Sequence, residues 1–162
     1  MYVWFGLKGL SFHCLDFCCL AAAVPQRRPP VATGQWRAVL TGAAAQAGQS
    51  GEQASFTLSL TQDNSKLGGA VLSLVEPSNC LPSSPSIAGA ALNGQVRLPG
   101  GEAAANLQLN IQLPSGKFAT LDMTGAMQSD ANSVAGLYKL NLIPAGCSSA
   151  QGTFTMTRLP KA

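Results

Sequence analysis

The chain has 162 residues and a formal charge of +3 at neutral pH, with 46% hydrophobic, 10% charged and 6% aromatic residues. That length suits one domain with a respectable core. From Thr33 onward seven cationic side chains stand against six anionic ones, so no basic field is present to hold nucleic acid. The only histidine, His13, and three of the five cysteines fall within the first 24 residues. The remainder therefore lacks the parts for a Ser–His or Cys–His nucleophile pair, and it has no metal-ligand spacing. Its acidic residues sit singly rather than as a glycosidase-type pair. A protein that is not an enzyme and needs no cofactor is expected.

Residues 1–24 read as an atypical signal peptide or a miscalled leader. Lys8 gives a thin positive region, "CCLAAAV" is apolar, and Ala21-Ala22-Ala23 has the small-residue form of a cleavage site, whereas His13 and Asp16 interrupt the apolar run. Too short and broken to span a membrane, it implies no transmembrane segment. Residues 25–33 form a Pro-rich linker, and 34–160 are the folded domain. Removing the leader leaves Cys80 and Cys147, both among loop-forming residues. Two buried thiols are the plain alternative; a disulfide joining them would close a long loop, contribute roughly 3–5 kcal/mol and fit a secreted or periplasmic protein.

Along the domain, period-two alternation replaces any helical stripe. Candidate strands run 34–42, 54–62, 66–76, 85–92, 95–99, 105–113, 117–127, 134–143 and 152–159, with turn signals at "QDNS" (62–65), "NG" (93–94), "PSG" (114–116) and "SDAN" (129–132). Local connections make a meander, and a closed antiparallel meander needs an even number of strands. Merging 85–92 with 95–99, or demoting 95–99 to loop, restores eight. The expected fold is all-β, an antiparallel up-and-down barrel of about eight strands, with the Cys80 and Cys147 loops at the same end. Glycines following a bulky aliphatic and a spacer recur in "KLGGAVL" (66–72), "SIAGAAL" (86–92), "DMTGAM" (122–127) and "SVAGLYKL" (133–140). Closing so few strands demands strong coiling, which residues without Cβ allow.

The inward face would include Phe56, Leu58, Leu60, Leu72, Leu74, Leu107, Leu109, Ile111, Tyr138, Leu140, Phe154 and Met156. Of these, Phe56, Leu58, Leu72, Leu109, Tyr138, Phe154 and Met156 are candidates to line a site for a small apolar ligand in the barrel mouth. The alternative is that the same side chains fill an eight-stranded barrel completely, leaving an envelope or extracellular interaction or structural module. A transmembrane barrel would want an outward apolar band with aromatic girdles, for which aromatics are too few. A monomer is expected.

"TGQWRAVLTG" (33–42) carries Gly34-x-Trp36 on the first strand, and the last strand ends in Arg158. This pairing resembles the calycin superfamily of small up-and-down barrels, which includes lipocalins and avidins. The resemblance implies that Gly34, Trp36 and Arg158 pack together as a plug beneath one barrel end, where an indole face receives a guanidinium. The intervening family motifs are missing. The rhythm near the end, "AGCSSAQGTFTMTRL", is also similar to uncharacterised secreted bacterial β-proteins, a likeness that implies no activity.

Overall fold

Strict alternation of apolar with Thr, Ser, Gln or Asn gives each strand one face suited to a core and one suited to water. In the computed structural model these faces produce β1 (Gly34–Gly42), β2 (Gln53–Asp63), β3 (Lys66–Glu76), β4 (Ala91–Arg97), β5 (Ala105–Gln112), β6 (Thr120–Met127), β7 (Ser133–Leu140) and β8 (Gln151–Arg158). The structure describes residues 30–43, 51–78, 81, 87–98, 104–114, 119–141, 147 and 150–161. Each strand pairs antiparallel with the next, and β8 returns to β1, closing an eight-stranded meander barrel.

The inner face carries the apolar residues. Trp36, Ala38 and Leu40 of β1, Leu107, Leu109 and Ile111 of β5, and Phe154 and Met156 of β8 are all buried in one hydrophobic cluster. Burying a side chain of this size stabilises by roughly 1.5–3 kcal/mol each. Outward positions belong mainly to Thr, Ser, Gln and Asn, as in "TFTMTR", where Thr153, Thr155 and Thr157 are exposed. No helix among the described residues is long and apolar enough to cross a membrane. The described wall places apolar side chains inward and polar ones outward, the reverse of a lipid-facing barrel.

Two expectations are corrected here. Asn93-Gly94 does not form a turn; it lies inside β4, which runs straight through it from Ala91 to Arg97. Asn93 pairs with Asn110 and Gly94 with Leu109, and a Cβ on Gly94 would stand 2.1 Å from the Gln108 carbonyl oxygen. The chain before it, Ile87–Gly89, is a turn rather than a strand. That turn docks on β3, where Gly89 N–H donates to the Val71 carbonyl at 2.8 Å and Val71 N–H donates to Ala90 at 3.0 Å.

Leu72 is the second correction. The β2–β3 register slips twice, from Leu58↔Val71 to Thr57↔Ser73 and from Phe56↔Leu74 to Ser55↔Glu76. Leu72 and Val75 are the extra residues of these bulges. Both are therefore on the outside, 42% and 45% exposed, while Val71 takes the inward place.

The recurrent glycines divide by role. Gly125 on β6 lies directly opposite Gly136 on β7, and Gly136 lies opposite Phe154 on β8. A Cβ on Gly136 would meet the Thr124 carbonyl oxygen at 2.1 Å and Gly125 Cα at 2.4 Å; one on Gly125 would meet Phe154 Cζ at 2.9 Å. The two strands thus coil closely, with the Phe154 ring covering the glycine pair. Gly68 and Gly69 lie within β3, whereas Gly89 belongs to the turn.

Candidate functional site

The base of the barrel joins Gly34 and Trp36 at the start of β1 to Arg158 at the end of β8. Trp36 is fully buried, and its indole N–H donates to the Ala32 carbonyl at 2.8 Å. Trp36 and Arg158 are cross-strand partners between β1 and β8. The guanidinium lies over the indole, 4.5 Å from the ring centroid, where the ring's negative face attracts it. Its nitrogens donate to the carbonyls of Val31 and Thr33 and, at 3.0 Å from Nη2, to that of Ala131. Gly34 has φ +140°, and a Cβ there would stand 2.9 Å from Arg158 Nη1. The structure thus brings Gly34, Trp36 and Arg158 into one assembly.

Several members of this base carry no side-chain signal in the sequence. Residues 31–33, within the stretch read as linker, are tied in: Ala32 is fully buried, and its N–H donates to Gln62 Oε1 at 2.6 Å. Thr33 Oγ1 accepts from the Gln62 N–H at 3.1 Å. Ala131 holds a left-handed φ of 55° in the β6–β7 turn, with its N–H bonded to the Gln128 carbonyl at 2.9 Å. That conformation aims its carbonyl at Arg158. Contacts of this kind run through backbone atoms, and only Gly34-x-Trp36 and Arg158 could be read from residue types.

At the opposite end, where β3–β4 and β7–β8 are connected, Leu81 and Ile87 are buried, as are Leu113 and Ala119 from the β5–β6 connection. Cys147 is partly buried against the same cluster. Cys80 lies outside the described residues, and its connection leaves from the same end as that of Cys147 because the meander alternates ends.

Between these two ends stand the residues expected to line a ligand site. Phe56, Leu58, Leu109, Tyr138, Phe154 and Met156 all point inward and are buried in one cluster, 5% exposed at most; Leu72 does not join them. The same cluster includes Leu60, Leu107, Met123 and Met127.

Cavities lined by described residues open on the wall and base. One of about 620 Å³ crosses the outside of β3 to β6, past Gln95, Gln108, Asn110 and Asp122. Another, about 380 Å³, lies beside the exposed Leu137 and Thr153. A third, about 460 Å³, adjoins the base at Gly34, Ser59 and Pro160. No known family model matches the chain, and no curated protein or solved structure does so either.

Proposed function

We propose that this protein is a non-catalytic, exported interaction module that works through its outer wall and loops, around a barrel filled by its own side chains. The observation carrying this reading is the closed base together with an interior packed by side chains. Trp36 and Arg158 occupy the base, and the inward residues from there to Leu81 and Ile87 are buried in one cluster. Eight strands enclose a space that side chains can fill. A small apolar ligand inside the barrel would have to displace buried core side chains, exposing apolar surface at about 25 cal/mol per Å². The filled barrel is therefore favoured over the ligand carrier.

The Gly34, Trp36 and Arg158 geometry supports the calycin likeness, which would supply an architecture without an activity. Export is the second part of the reading. On this reading Cys147 is one half of a disulfide, and such bonds persist in oxidising compartments. Cys80 is its proposed partner, since its connection leaves the barrel at the same end.

Native and denaturing mass spectra of the protein recovered from its host's envelope and medium test both parts. The expected result is a leaderless chain, two hydrogens lighter than its reduced form, without a small-molecule adduct. A stoichiometric apolar adduct would overturn the filled barrel, and a reduced full-length chain would overturn export.

A further inference from the structure

The outer wall of a barrel is convex, yet the largest cavity described above lies on it, across β3, β4, β5 and β6. Its walls are two rows of outward side chains at neighbouring register positions. One row runs Lys66, Gln95, Gln108 and Thr124; the other runs Asn93, Asn110 and Asp122. Outward positions two residues apart on a strand put the rows about 7 Å from each other, and four strands about 4.8 Å apart make the trough about 14 Å long. Gly94, between the rows, contributes backbone to its lining.

The geometry points to a binding trough for a neutral, hydroxyl-rich chain, a linear saccharide, laid across the strands on this wall. The inference rests on the outer-wall reading above and gives it a ligand class. Amides and a threonine hydroxyl both donate and accept, as saccharide hydroxyls do. Lys66 and Asp122 bring one charge of each sign, which suits a neutral chain better than a polyanion. A peptide strand would seek an open sheet edge, whereas β4 and β5 are paired on both sides.

The walls are also held in place before any ligand arrives. Gln95 Oε1 accepts from Arg97 Nε at 2.9 Å, and Gln95 Nε2 donates to Gln108 Oε1 at 2.6 Å. Asp122 accepts from Asn110 on one oxygen and from Asn141, at 2.7 Å, on the other. Side chains fixed in this way lose less rotamer freedom on binding. The arrangement leaves the Gln108 amino group and the Asn110 carbonyl for incoming hydroxyls.

The test is a titration of backbone amide NMR signals with cellohexaose, maltohexaose and chitohexaose, each to about 10 mM, enough to fill a site with a Kd of about 1 mM. Saturable shifts centred on Asn93–Gln95, Gln108–Asn110 and Asp122–Thr124 with at least one probe are expected. A Gln108→Leu, Asn110→Leu double variant should weaken that binding at least about tenfold, while Thr155→Val on another face leaves it unchanged. Absence of saturable shifts with all three probes, or shifts centred elsewhere, overturns the trough. A parallel titration of the methionine methyl signals with anilinonaphthalenesulfonate separates the two ideas. A blank saccharide titration with silent methionines rejects the trough alone, whereas responding methionines reject the filled barrel beneath it.

Discussion

Trp36 and Ala131 show how single residues determine the base of this barrel. The Trp36 indole is fully enclosed and hydrogen-bonded, and it lies beneath the Arg158 guanidinium. Replacing it with alanine leaves a large cavity and removes the surface on which Arg158 rests. Equilibrium denaturation should show Trp36→Ala costing about 3–5 kcal/mol, and a loss below about 0.5 kcal/mol would mean the ring plugs nothing. Ala131 predicts the opposite sign. Its φ of 55° costs an L-residue with a Cβ roughly 1–2 kcal/mol, and glycine avoids that penalty although its unfolded chain is more flexible. Ala131→Gly should therefore raise stability by up to about 1 kcal/mol, measured as a higher denaturant midpoint at unchanged slope. A lower midpoint would show that the turn is not held in that conformation for Arg158.

Among the elements, β3 and β4 separate what residue types reveal from what pairing decides. The alternations of "NLQLNIQL" and "TFTMTR" translate directly into β5 and β8, because each strand meets regular partners and its parity is preserved along its length. In β3 the parity changes at Leu72, and the cause is its pairing with β2 rather than anything in its own sequence. Val71→Ser should thus cost about 2–3 kcal/mol by removing buried apolar surface and burying a hydroxyl. Leu72→Ser should stay within about 0.5 kcal/mol. The reverse order in a denaturation series would place Leu72 inside and remove the bulge. β4 was obscured for a different reason. Asn-Gly is a strong hairpin signal, but Gly94 is required by the close approach of the Gln108 carbonyl, a long-range contact that a short window of sequence does not contain. The same limit applies to the site. Gly34, Trp36 and Arg158 were legible from residue type and resemblance, whereas the carbonyls of Val31, Ala32, Thr33 and Ala131 belong to residues whose identity does not announce them.

Across the whole molecule, the proposed function rests on a barrel closed at its base and filled by its own side chains. The segment before β1 is part of that closure, since Ala32 is buried and the carbonyls of Val31, Ala32 and Thr33 serve Arg158 and Trp36. A chain beginning at Gly34 should therefore be less stable than one beginning at Pro30 by at least about 2 kcal/mol, at roughly 1 kcal/mol for each hydrogen bond lost. Equal stability of the two in denaturant would show that the segment merely lies against the base. The core itself contains its own reporters, because Met123 and Met127 of β6 and Met156 of β8 are fully buried. Their methyl NMR signals, followed while anilinonaphthalenesulfonate is added to the intact protein, test most directly whether the barrel is filled. Unmoved signals up to millimolar dye are predicted; saturable shifts at all three methyls would reveal an internal binding cavity and contradict the side-chain-filled barrel.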